Sequence, residues 1–267
     1  MSTESVLKTR LNGDIDVVTL GRLLVPVALV VGWHALAVAV GEFALATPAE
    51  TAAELVGGVQ QGWLVPNLAR TMTELAVAYG LVVVAGVWIG VALGSNEFWN
   101  DVFEPVLLGV YSIPKVTLFP LFLFVFQLGM DSKIAFGWFH GVFPVAILTM
   151  SAMESIREEH LQVARSLRLT RLQTFREIVV PSILPGLVIG LRLGFNLTFL
   201  GVVLGEMFAA RSGLGYTLVE FMVGSQVARM LAVIVVLVGV ATAVNLVSFA
   251  VERYVGADDA DGAEMRM

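Results

Sequence analysis

The sequence predicts an all-α membrane protein with six transmembrane helices, and three observations carry that prediction. Of 267 residues, 57% are hydrophobic and only 14% are charged; together with a mean hydropathy of +0.85, this lies far from soluble domains, in which about a quarter of residues are charged. Six windows close to or above the ~20 residues that a bilayer core demands are free of charge or interrupted by a single cation: 23–41, 75–96, 105–130, 134–153, 186–205 and 230–251. None alternates apolar and polar residues as barrel strands do. Backbone amides in lipid must be bonded within the segment, so the windows are helices.

Residues 1–19 carry Lys8, Arg10, Asp14 and Asp16 and form a polar tail ahead of the first span. That span is long and is expected to be retained uncleaved. The membrane domain is expected over 20–252. In the second span Gly80, Gly86, Gly90 and Gly94 provide surfaces for close helix contact. The third is broken at "SIPKVTLFP", where Pro114 interrupts the helix and Lys115 follows. Such a break lines a gate or pathway wall, or is a plain kink. The loop 154–185 separates the fourth and fifth spans, and 253–267, with Asp258, Asp259, Asp261 and Glu264 among Gly and Ala, reads as a solvated, disordered tail. With the N-terminus inside, ten of the sixteen cations fall on the cytoplasmic side and four outside, Lys115 and Arg192 lying within spans. The excess of cations places both termini and the 154–185 loop in the cytoplasm.

With no cysteine, disulfides, thiolate metal sites and cysteine nucleophiles are excluded. No lysine ends a G-x-x-x-x-G-K-[ST] run, so the chain has no phosphate-cradling loop of its own. No acid pair, H-E-x-x-H or serine-plus-base arrangement occurs within the spans, which argues against an intramembrane enzyme. A self-contained secondary transporter is the competing reading; it would be expected to show repeated halves and paired broken helices, and only one break is convincing.

Within the loop, "QVARSLRLTRLQTFREIVVP" (162–181) is out of keeping with its apolar surroundings. Leu161, Ala164, Leu167, Leu172, Phe175 and Val179 recur at helical spacing as an apolar stripe, while Arg165, Arg168 and Arg171 step along another face. Thr170 is placed to cap a second short helix, and Pro181 and Pro185 mark the start of the next span. Taken alone, a basic amphipathic segment fits a helix lying on anionic headgroups.

Five intramembrane residues are pathway candidates: Pro114, Lys115, Arg192, Asn196 and Glu206. Arg192 either snorkels to headgroups or, with Asn196 one turn on, presents two donors to a central cavity. Glu206 is a structural acceptor for backbone or Arg211, or part of the route. His34 and His140 read as satisfied packing histidines, and Gly213 and Gly215 as a turn at the outer mouth.

The 162–181 segment resembles the EAA loop of ABC importer permeases, whose pattern is Glu-Ala-Ala, three residues, Gly, nine residues, Ile, any residue, Leu-Pro. Here Val163 and Ala164 stand for the alanines, Ile178 for Ile and Val180-Pro181 for Leu-Pro, while Gln162 replaces the acid and Arg168 the glycine. Arg168 is therefore expected to withhold the left-handed turn that glycine takes freely. Three blocks, 111–145, 164–194 and 202–218, resemble the nitrate/sulfonate/taurine branch, and the likeness extends over about 67–252.

The resemblance implies a type I importer permease and a homodimer of it in the plasma membrane. Two ATP-binding cassette subunits would drive it, and an extracytoplasmic solute-binding protein would deliver a small anion such as nitrate, a sulfonate or taurine. On this reading residues 162–181 are a coupling helix that docks in an ATPase groove, with Gln162, Ala164, Arg165, Leu167, Arg168, Arg171, Phe175 and Pro181 at the contact. No cofactor, metal or nucleic acid is called for on this chain, and membrane lipid is its remaining partner.

Overall fold

The structure, a computed structural model, describes residues 17–41 and 43–264. Lys8, Arg10 and most of the expected N-terminal tail lie outside the described residues. The described chain is helical nearly throughout: α1 (Val17–Val40), α2 (Pro48–Gln60), α3 (Leu64–Gly94), α4 (Glu97–Tyr111), α5 (Phe119–Phe126), α6 (Met130–Glu154), α7 (Glu158–Ser166), α8 (Arg171–Thr174), α9 (Val180–Ala209), α10 (Leu214–Val223) and α11 (Val227–Glu264). A 3-10 turn, Lys115–Leu118, precedes α5, and a π turn, Phe175–Val179, joins α8 to α9.

Among the described residues, four helices are long and apolar enough to cross a membrane: Leu64–Gly94, Met130–Glu154, Arg171–Ala209 and Val227–Arg253. The pair α4 and α5, bent by 80° at the Pro114 break, passes as a fifth if counted as one span. α1 holds a shorter apolar helix, Leu24–Val40. α11 continues as helix into the 253–267 stretch expected to be a tail; Arg266 lies outside the described residues.

The core is built on α6, in which Phe136 and Val145 have no exposed surface. Glycines let α3 and α9 close on it. A Cβ on Gly86 would lie 2.7 Å from Val145 Cβ, on Gly90 2.5 Å from Thr149 Cβ and on Gly94 2.7 Å from Met153 Cβ. Gly80, expected to act with them, faces open space. These contacts advance together along both chains, so α3 and α6 are parallel. Parallel neighbours require the intervening chain to return to the starting end, and the bent pair makes that return: Asn100 reaches Glu154, Lys115 lies over Phe143, and Phe119 packs on Phe136. α9 runs antiparallel to α6, with Gly186 against Ala152 at one end and Gly205 against Lys133 at the other.

Between α1 and α3 the chain forms α2. Its start is a capping box: Glu50 N–H donates to Thr47 Oγ1 (3.3 Å) and Thr47 N–H to Glu50 Oε2 (2.7 Å), with Pro48 in the first turn.

Candidate functional site

Three groups of candidate residues lie along the bundle. At the end formed by the C-termini of α3 and α6, α7 leaves the membrane domain and the chain turns back at residues 167–170. Thr170 caps α8 as expected, with Gln173 N–H on Thr170 Oγ1 (3.4 Å) and Thr170 N–H on Gln173 Oε1 (2.9 Å). The second short helix is not separate, however. α8 passes through the π turn into α9 as one helical stretch, Arg171–Ala209, so Pro181 and Pro185, expected to mark the start of the span, lie within it.

The apolar stripe is divided. Ala164 and Val179 are buried, but Leu167, Leu172 and Phe175 are 66%, 76% and 40% exposed. Gln162, Arg165, Arg168, Arg171 and Pro181 are also exposed, and Arg165 pairs with Glu158. Leu161, Leu169, Arg171 and Phe175 border a cavity of about 740 Å³ between the loop and the ends of α3 and α6.

The expectation for Arg168 is corrected. Its φ is +50°, a left-handed conformation, and Leu169 N–H donates to Ala164 O at 3.0 Å, the six-to-one bond that closes a helix whose next residue is left-handed. Arg168 adopts the turn that the family's glycine would take, against a cost of roughly 1–2 kcal/mol for an L-residue.

The second group follows the broken span. Pro114 ends the α4 segment, and its carbonyl accepts from Thr117 N–H (3.0 Å) and Thr117 Oγ1 (2.7 Å). Lys115 turns back to donate to Tyr111 O at 3.0 Å, with its ammonium 4.3 Å from the Tyr111 ring centroid. The break strips α4's last carbonyls of helical partners, and the lysine supplies one. On α9, Arg192 and Asn196 face α11. Arg192 Nη1 bonds Glu252 Oε2 at 2.8 Å, and Asn196 and Asn245 exchange amide hydrogen bonds of 3.2 and 2.8 Å. His140 is buried with Nδ1 2.9 Å from Phe136 O, whereas His34, expected to be packed, is exposed.

The third group, at the opposite end, is centred on Glu206, which is fully buried. Its carboxyl accepts from Gly215 N–H and from Thr71 Oγ1, each at 2.7 Å, and not from Arg211. Leu214 N–H donates to Thr71 Oγ1 (2.8 Å) and Gly213 N–H to Asn67 Oδ1 (2.7 Å). Side chains of α3 and α9 thus satisfy the first amides of α10, which would otherwise be orphaned. Gly213 is required twice over: its φ is +109°, and a Cβ there would overlap Glu206 Oε1.

Asn67, Thr71 and the neighbouring Arg70–Glu74 pair (2.8 Å) were missed in the sequence. The (i,i+4) spacing of Arg70 and Glu74 was the available signal; the long-range partners left none.

Residues 82–257 match the family described as "binding-protein-dependent transport system inner membrane component", and the chain belongs to it, as a multi-pass membrane protein of transport-permease type. It is 28% identical over 160 residues to the nitrate import permease protein NrtB of Synechococcus elongatus, covering 60% of this chain and 57% of that protein. It is 27% identical over 195 residues to the taurine transport system permease protein TauC of Escherichia coli, covering 73% and 68%. The chain thus spans under two thirds of the length of the nitrate permease. The fold is that of a chain in the inward-facing MetNI methionine ABC transporter, with a TM-score of 0.63 at 19% identity, covering 73% of this chain and 97% of that one.

Proposed function

We propose that this chain is the membrane-spanning permease subunit of an ATP-driven importer and forms the route for a small solute handed over by an external binding protein. Six spans cross the membrane in this reading, α1 and the bent α4–α5 pair counting as one each. Both termini and the 154–185 loop face the cytoplasm. Two copies line the route, and each loop docks on one of two separate ATP-binding cassette subunits through residues 162–181.

The observation that carries the reading is the placement of Leu167, Leu172 and Phe175, exposed beside a helix that is continuous with a membrane span. Apolar side chains standing outward at a bundle end gain about 25 cal/mol for each Å² that a partner groove covers. A groove that grips α8 moves α9 with it.

Within the membrane, Pro114 and Lys115 form the wall at the bend, Arg192 and Asn196 fix α9 against α11, and Glu206 holds the outer turn. The cargo is a small anion such as nitrate, a sulfonate or taurine. The nitrate and taurine permeases among the relatives support that class.

The test is reconstitution with the ATPase and binding protein in proteoliposomes, followed by uptake of labelled nitrate and taurine. Uptake should need ATP and every subunit, and reversing charge at Arg165 and Arg171 should release the ATPase during purification. Solute uptake by the chain alone would refute the proposal.

A further inference from the structure

At the end of the bundle away from the 154–185 loop, a cavity of about 510 Å³ opens between the first turns of α3 and α6 and the end of α9. Its polar side chains are Arg70, Glu74, Lys133, Arg211 and Ser212. Lys133 is only 3% exposed, yet its ammonium donates a single hydrogen bond, to Gly129 O at 2.6 Å. Its other two N–H bonds have no partner among the described residues, and a covered ammonium facing a cavity calls for a compensating acceptor.

The other cations are similarly uncommitted. Arg70 uses Nε on Glu74, which leaves its terminal amino groups without partners among the described residues. Arg211 is exposed at the rim and likewise has none. α6 also begins here: Gly129 lines the cavity and no side chain caps the helix, so its positive end adds to the field. Against three cations stand Glu74, one of whose oxygens is itself unpartnered, and the adjoining Glu206, with Asp131 in the first turn of α6. Lys133 lies within the field of Glu74 and Glu206.

We propose that this cavity binds one small oxyanion, held by Lys133, Arg211 and the free end of Arg70. Guanidinium forks and an ammonium match the several equivalent oxygens of such an ion. A cation would meet three like charges. The inference rests on the transport reading in one respect only: an anion delivered at this end would meet the cavity before the bundle interior. A nitrate or sulfonate and the phosphodiester of a lipid headgroup share the required chemistry, so the test must separate them.

The experiment is calorimetric titration of the purified full-length chain in maltoside micelles, which carry no phosphate, with sodium nitrate and sodium methanesulfonate, ionic strength being held with sodium chloride. Saturable binding of one anion per chain is expected. Arg211→Ala, at an exposed position whose loss leaves the fold intact, should weaken it about tenfold, as expected for one lost charge-assisted contact, and Lys133→Met should weaken it further. Repeating the titration in phosphatidylglycerol nanodiscs assigns the source. Retained nitrate binding identifies a soluble anion, and lost binding identifies a headgroup; either result supports an oxyanion site.

Absence of saturable binding in micelles for both anions would overturn the proposal, as would equal affinity in the wild type and both variants. ATP-driven uptake measured in parallel separates the two readings. Lost uptake with intact anion binding counts against the transport assignment, and intact uptake without anion binding counts against the site.

Discussion

Single residues at the two ends of the bundle carry different burdens. Arg168 holds a left-handed backbone with its side chain in the open, so Arg168→Gly relieves strain without removing a contact. It should stabilise the loop by roughly 1 kcal/mol, measured as slower amide exchange over 164–170. Thr71 lies at the opposite extreme: its hydroxyl donates to Glu206 and accepts from Leu214 N–H. Thr71→Val leaves two buried polar groups unpaired and should cost about 2–4 kcal/mol, seen as a lower melting temperature in detergent, whereas Thr73→Val, on an exposed hydroxyl, should change little. The sequence made Thr170 legible because a capping box is local. It hid the supports of Glu206 because Asn67 and Thr71 lie some 140 residues away in the chain.

At the scale of elements, hydropathy located the long helices but misplaced their starts for one physical reason. A search for charge-free windows stops at an ion, while a helix continues wherever the ion is satisfied. α3 extends N-terminally past Glu74 because Arg70 Nε donates to that carboxyl, and α6 begins before Lys133 because Gly129 O accepts its ammonium. α2 was overlooked although its T-P-A-E start is a complete capping signal. The glycine series was right in kind, since three of its four members meet α6, and wrong for Gly80, which nothing approaches. That difference makes a paired test. Gly90→Leu must displace the Thr149 side chain and the Ala146 carbonyl and should destabilise by about 1–3 kcal/mol or more, while Gly80→Leu at the open position should be tolerated. Thermal unfolding of the two variants in the same detergent decides it, and equal loss in both would refute the contact argument.

For the whole molecule the decisive feature is the 39-residue helical stretch Arg171–Ala209. It begins at the exposed α8 surface and ends beside Glu206, whose carboxyl caps α10 at the other end of the bundle. The two ends are therefore joined by one helical element, whose bonding ladder is interrupted by the π turn at Phe175–Val179 and by Pro185. A π turn holds one residue more than the α-helix that would replace it. Deleting Arg176, which is exposed and has no hydrogen bond or ion pair among the described residues, should convert the turn to regular helix and rotate α8 by about 100° against α9, with a shift of about 1.5 Å. Val179 of the turn packs with Ala152 and Ile183 and stays on the α9 side of the deletion, so the chain should still fold. The grip on the ATPase would then point the wrong way. In the reconstituted importer this predicts uptake reduced at least tenfold with the melting temperature of the isolated chain nearly unchanged. An Arg176→Ala control, which keeps the register, should transport as the wild type does. Normal uptake by the deletion variant would mean that motion is not carried along this helix.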